Sequence, residues 1–215
     1  MQSKINYQLE TDRLLKALPT DRVPVLFLHA CCAPCSSYVL EYLSQYFAIT
    51  LFFYNPNIAP EEEYLHRKAE LKRLVQTMPL SHPVTILDGD YAPERFYALA
   101  KGLEQEPERG ARCQKCIGHR LEESFRAAAM QTPAPDFVCT TLTISPHKDA
   151  VWINTRGAEL AQQYGIPWLP TDFKKKGGYQ RSIALSREYD LYRQNFCGCV
   201  YSRLEAERRE QQHNS

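Results

Sequence analysis

No stretch of this 215-residue chain approaches the roughly 20 consecutive apolar residues that a membrane-crossing helix needs. Its start, MQSKINYQLETDRLL, mixes both signs of charge and lacks the basic, then apolar, then small-residue order of a secretory signal, which points to a cytoplasmic protein. An excess of charge is missing too: 26 Lys and Arg against 25 Asp and Glu leave a net charge of +1. Affinity for an anionic partner must therefore come from local basic patches. There is no internal repeat and no low-complexity linker. A composition of 44% apolar and 24% charged residues is that of an ordinary globular domain. The expected organisation is one α/β domain over residues 1–204, with EAERREQQHNS (205–215) as a fraying helix or disordered tail.

Cysteine is what the chain does have. Seven of its eight cysteines fall into three groups: Cys31, Cys32 and Cys35; Cys113 and Cys116; Cys197 and Cys199. Structural disulfides are disfavoured in a reducing compartment, and C-x-x-C and C-x-C spacings let thiolates converge on one centre, so metal ligation or redox chemistry is the stronger reading. Cys139, alone inside the apolar run DFVCTTLTI, reads as a buried small hydrophobe.

Apolar, β-branched or aromatic runs of strand length occur at Val23–His29, Ala48–Tyr54, Pro83–Leu87, Asp136–Thr141 and Ile166–Leu169. Between them, Ser36–Tyr46, Glu61–Met78, Gln114–Met130 and Asp149–Tyr164 have helical periodicity. This alternation predicts a parallel sheet with helices on both faces, and such sheets bind ligands at the carboxyl ends of their strands. HACCAPCSSY (29–38) directly follows the first strand, with Pro34, Ser36 and Ser37 suited to a helix start, where thiol pKa values fall.

One zinc site or one 4Fe-4S cluster takes at most four of the seven thiols, so a surplus remains for a second ion or a dithiol; this favours electron chemistry over structural zinc. Asp90 in LDGDY and Asp172 in LPTDFKKKGG are the acids that could complete a metal shell, or simply turn and cap residues. Basic and aromatic residues flank the thiols: Arg109, Arg112, His119 and Arg120; then Lys174, Lys175, Lys176, Tyr179 and Arg181, expected on a mobile glycine loop; then Arg187, Tyr192 and Arg193. They would suit a substrate bearing phosphates and a base. In TTLTISPHKD, Ser145 could hold an anion and His147 or Lys148 could carry protons, or the segment could be a capped turn.

Together, HACCAPCS, EPERGARCQKCIGHRL, TTLTISPHK and DFKKKGGYQRSIALSREYDLYRQNFCGCVYS resemble the QueH (DUF208) family of epoxyqueuosine reductases, from about Val23 to Ser202. The resemblance implies an adenine nucleotide α-hydrolase-like α/β fold and a 4Fe-4S cluster with a neighbouring metal, expected to be iron. It implies cobalamin-free, two-electron reduction of the epoxide of epoxyqueuosine at the tRNA wobble base, driven by an electron donor protein or a low-potential reductant. The cysteines carry over one by one: Cys31, Cys32, Cys113 and Cys116 as cluster ligands, Cys35 as a metal ligand, and Cys197 and Cys199 as further ligands or a redox dithiol. His147, Lys148 and Tyr179 are then candidate proton donors. Lys174, Lys175, Lys176, Arg181 and Arg193 become candidates for contact with tRNA. The glycine-rich phosphate loop of ATP-cleaving relatives is absent after the first strand, which counts against ATP use. Two other readings stay open at this point: a zinc-containing RNA-binding protein without turnover, and an ATP-dependent tRNA thiolase.

Overall fold

A computed structural model describes residues 5–213. In chain order the elements are α1 (Tyr7–Lys16), β1 (Val25–Ala30), α2 (Ala33–Leu43), β2 (Ala48–Phe53), α3 (Glu61–Thr77), β3 (Val84–Asp88), α4 (Pro93–Ala100), α5 (Ala111–Ala129), β4 (Phe137–Thr140), a 3-10 turn (Thr141–Ile144), α6 (Ala150–Tyr164), α7 (Gly178–Glu188) and α8 (Val200–His213). The four strands form one parallel sheet in the order β3-β2-β1-β4.

Central strands buried on both faces read as continuous apolar runs, as VLFLHA in β1 and AITLFF in β2 do. Their alternation divides the core. Leu26, Leu28, Ala30, Leu51 and Phe53 pack with residues of α2, α3 and α7, while Phe27, Phe52 and Val138 pack with residues of α5 and α6. Helices therefore cover both faces, as expected. β1 pairs with β2 on one side and β4 on the other, so the chain leaves β1 and β4 in diverging directions and opens a crevice at their carboxyl ends.

Two local expectations are corrected. Ile166–Leu169 makes only a single bridge, Trp168 to Val138, with Val138 N–H donating to Pro167 O and Leu169 N–H donating to Val138 O. The segment from Lys174 to Arg181 is not a free glycine loop. Gly178 begins α7, so Tyr179 and Arg181 are helical, and Lys174, Lys176 and Arg181 are ion-paired with Asp172, Asp12 and Glu41. From Glu205 to His213 the chain continues α8, with Ala206 buried and Glu205 paired with Arg112; Asn214 and Ser215 lie outside the described residues.

The return from α6 to the sheet depends on one buried amide. Asn154 donates from Nδ2 to Ala150 O and Thr171 O, at 2.7 and 2.8 Å, and its Oδ1 accepts from Trp168 Nε1 and Thr171 N, at 3.0 and 2.9 Å. Every donor and acceptor of the amide is used. Asn154→Ala should therefore lower the unfolding free energy by about 2–3 kcal/mol in a denaturant titration, since several buried polar groups lose their partner at once. A change within experimental error would mean that water replaces the amide.

Candidate metal centre and substrate cavity

The turn from β1 into α2 builds the first thiol group. Cys32 is the N-cap of α2 in extended conformation and Pro34 sits in the first turn, so the helix starts directly under the thiols. Cys31 Sγ lies 3.8 Å from Cys32 Sγ, and the sulfurs of Cys31, Cys32 and Cys35 all lie within 4.8 Å of one another. Four sulfurs about 2.3 Å from one tetrahedral ion stand about 3.8 Å apart. The trio is thus close to the spacing that a thiophilic metal demands. The pKa of Cys32 is well below the usual thiol value because the thiols of Cys31 and Cys35 donate to it, with Arg67 adding positive charge; Cys35, the partner in that exchange, is raised. The helix N-terminus favours the same thiolate.

The second group comes from distant segments. Cys113 and Cys116 occupy the first turns of α5, and Cys197 and Cys199 precede α8; the four line one small cleft with Arg112, Arg120 and Lys148. Arg109 N–H donates to Cys113 Sγ at 3.3 Å, Lys148 Nζ to Cys197 Sγ at 3.1 Å, and Ser202 N–H to Cys199 Sγ at 3.4 Å. Burial raises Cys113 and takes Cys116 up to about 12. These two are neutral thiols until a metal displaces their protons.

Between the groups stand buried cations. Arg120 is 2% exposed, and Nη1 donates to Asn57 Oδ1 at 2.9 Å and Asn55 Oδ1 at 3.3 Å, while Nε and Nη2 have no partner among the described residues. Burial works against its charge, but negative charge on Cys116, Cys197, Cys31 and Cys113, as these thiols ionise, outweighs that and raises its pKa. Lys148 behaves likewise: burial disfavours the ammonium, and Cys197, which accepts from it, restores it, joined by Cys113 once that thiol is ionised. Glu108 Oε1 lies 3.8 Å from its Nζ. His29, fully buried, bridges Thr140 Oγ1 at 2.9 Å and the Tyr54 carbonyl at 3.1 Å; burial and then Arg120 bring its pKa down to about 3, so the ring is neutral.

Above these groups opens a cavity of about 300 Å³ that brings together Cys31, Cys32, Cys35, Cys197, His147, Lys148, Tyr179 and Arg193. His147 and Lys148 also line a second groove, of about 320 Å³, with Cys113 and Trp152, and Arg109 Nη2 lies 2.8 Å from His147 Nδ1 at its edge. Lys174, Lys175, Lys176 and Arg181 line neither space. Asp90 is exposed and Asp172 is paired with Lys174; neither joins the sulfur trio. Arg112 is internal, donating to the carbonyls of Leu103, Glu104 and Glu106, and His119 Nε2 meets Tyr54 OH at 2.8 Å. Arg187 also lies outside both spaces.

Sequence reasoning missed Arg67, Gln194, Asn55, Asn57 and Glu108. A signal existed for the asparagines: YNPNIAP follows the second strand, at the same sheet edge as HACCAPC. Cys139 is buried in the core, donating weakly to Thr140 O and lying 3.8 Å from Thr171 Oγ1, and its pKa is pushed up to about 12 by burial.

A parallel α/β sheet carrying at its switch point a sulfur trio positioned to bind a metal, with four more thiols beside it and an open cavity, fits a thiol-rich oxidoreductase. Comparison with known proteins narrows this. The profile of the family described as epoxyqueuosine reductase QueH matches residues 26–205. An epoxyqueuosine reductase QueH from Streptococcus pyogenes serotype M1 is 41% identical over 202 residues, covering 93% of this chain and 78% of that protein. Those of Staphylococcus epidermidis (39% over 206 residues; 94% and 86%) and Thermotoga maritima (33% over 186 residues; 84% and 91%) are also similar. The chain belongs to the epoxyqueuosine reductase QueH family, a family of oxidoreductases.

The residues present fit a metal group. The ligand atoms of the trio are all sulfur, and a buried guanidinium, Arg120, whose charge is favoured by the neighbouring thiols once they are anionic, stands beside them as metallation would require. Replacing Cys32, Cys113 or Cys116 by alanine should cut bound metal to half or less of the wild-type amount in protein isolated without oxygen. Cys139→Ala should keep it; an equal loss there would refute the separation of this thiol from the site.

Proposed function

We propose that this chain reduces the epoxide of epoxyqueuosine in tRNA to the alkene of queuosine, using a 4Fe-4S cluster and a second ion, expected to be iron, without cobalamin. The observation that supports this is that seven thiols line two adjoining spaces, a main cavity with Cys31, Cys32, Cys35 and Arg67 and a small cleft with Cys113, Cys116 and Cys199, which share Cys197, Arg120 and Lys148, in a member of this family.

Cys31, Cys32, Cys113 and Cys116, at the starts of α2 and α5 around Arg120, would hold the cluster. Cys35 then serves the second ion, and Cys197 and Cys199 remain as a dithiol beside Lys148. Bound there, the metals supply single electrons and Lewis acidity. The overall change breaks both C–O bonds of the epoxide, forms one C=C bond, takes two electrons from a low-potential donor and two protons from the medium, and releases the oxygen as water. The protein's own part is to hold protons at defined atoms. Lys148 Nζ carries one between Cys197 and Glu108, and His147 and Tyr179 line the same cavity. Arg193, exposed at the cavity, is placed to meet an RNA phosphate.

Protein isolated without oxygen should contain iron and acid-labile sulfide. Given a low-potential reductant, it should convert epoxyqueuosine in tRNA to queuosine with neither cobalamin nor ATP added. The assay is nucleoside digestion and mass detection of the loss of one oxygen atom. Stoichiometric zinc without sulfide would refute the proposal and favour a zinc-containing RNA-binding protein; turnover only when cobalamin is supplied would refute the cobalamin-free reaction.

A further inference from the structure

The second groove, of about 320 Å³, opens next to the main cavity, and Pro146, His147 and Lys148 line both. The two spaces thus share a wall, so a polymer with one unit in the main cavity can lay the next unit in the groove. Trp152 of α6 stands in this groove and is half-buried. Behind, it packs with the apolar residues of α5 and α6, and its ring reaches α5 at Gly118, where a Cβ would stand 3.6 Å from Cη2. Two helices hold the indole, and the rest of it stays open to the groove. At the edge, Arg109 is exposed; its Nη2 donates to His147 Nδ1 at 2.8 Å and its backbone N–H to Cys113 Sγ at 3.3 Å. The one carboxylate among the lining residues, Asp149, is occupied in capping α6, with Oδ1 accepting from Val151 N–H at 2.9 Å and Trp152 N–H at 3.1 Å.

An anchored, partly open aromatic ring beside an exposed guanidinium is the pairing that holds single-stranded nucleic acid: a base stacks on the ring and the cation meets a phosphate. A space of about 320 Å³ lies at the lower end of those that take a small organic ligand, which suits one base with its sugar. We infer that the groove takes the nucleotide next to the modified one in the same tRNA, its base stacked on Trp152 and its phosphate at Arg109, while the modified nucleotide enters the main cavity. This rests on the reading of the chain as acting on epoxyqueuosine in tRNA, and adds to it how the substrate strand is held. Trp152 and Arg109 are positioning residues for the reaction, since neither touches the carbons that react. Stacking on Trp152 competes with stacking between the two neighbouring bases, so the groove offsets part of the cost of taking the modified base out of its stack.

The test uses the anaerobically isolated full chain, with Trp152→Leu, Trp152→Phe and Arg109→Gln variants. The probes are anticodon stem-loops bearing epoxyqueuosine, either intact or with the base removed from the nucleotide on one side or the other. Expected for Trp152→Leu, which keeps apolar bulk without an aromatic face, is binding roughly 5- to 100-fold weaker than wild type, with iron and sulfide content unchanged. Trp152→Phe keeps a stacking face and should stay within about threefold of wild type. Removing the base on one side of the modified nucleotide should weaken wild type by a factor like that of Trp152→Leu, and should cost Trp152→Leu nothing more. That coupling is a readout that a purely structural tryptophan would not give. Arg109→Gln should lower the slope of log affinity against log salt by about 0.7, and it decides the matter if Trp152→Leu fails to fold. Wild-type affinity in Trp152→Leu, or a base-removal penalty equal in wild type and variant, overturns the assignment. A loss confined to the rate of reduction by a protein electron donor overturns it too and gives the groove to that donor. If the coupling is found but wild type, loaded with iron and sulfide, leaves the epoxide intact, the reading of function falls while the groove stands as an RNA site.

Discussion

Charge balance among buried groups is the constraint on which this structure depends. Arg67 and Arg120 are each 2% exposed and the Lys148 side chain 8%. Isolated cations of this kind would be very expensive to bury. They are tolerable because thiols, carboxylates and amide oxygens have been brought to them from most of the chain: Glu63 from α3, Asn55 and Asn57 from the loop after β2, Glu108 from the loop before α5, and Cys197 from the segment before α8. Site and fold therefore stabilise each other.

The parallel sheet makes this gathering geometrically cheap. Every strand points its carboxyl end the same way, so the loops after β1, β2 and β4 emerge at a common edge. The order β3-β2-β1-β4 splits the chain at that edge between β1 and β4, leaving room for a ligand where the sulfur trio stands. The remaining thiols come from α5 and from the approach to α8, so the centre draws on secondary structure that is helical, extended and irregular.

What could be read in the sequence followed from local signals. The apolar runs located β1 to β4 to within about two residues at each end, and the crowding of cysteines after the first strand marked the functional edge. Tyr179 and Arg193 were reached because they neighbour motif residues. The lysine run 174–176 reads as a free loop because the counter-charges around it, Asp172 apart, come from elsewhere: Asp12 for Lys176, and Glu41 for nearby Arg181. Arg67 was invisible for the opposite reason. In EEEYLHRKAELKR it looks like one more surface charge on a polar helix, and only the packing of α3 against the Cys197 segment shows that it is internal. Long-range pairing, which no window of sequence contains, separates the two cases.

Gly198 shows how such a centre can be strict at a position with no chemistry. Its φ of +131° suits glycine, and a Cβ there would approach Ile58 Cγ1 at 2.9 Å and Arg67 Nη1 at 3.2 Å. Its carbonyl accepts from Ala59 N–H at 3.0 Å, clamping the flanking cysteines to the loop after β2. A survey of all substitutions along the chain would thus score this residue as harshly as the thiols on either side. Mutational intolerance in a segment like Cys197–Cys199 records how closely two backbones must pass as much as which atoms react.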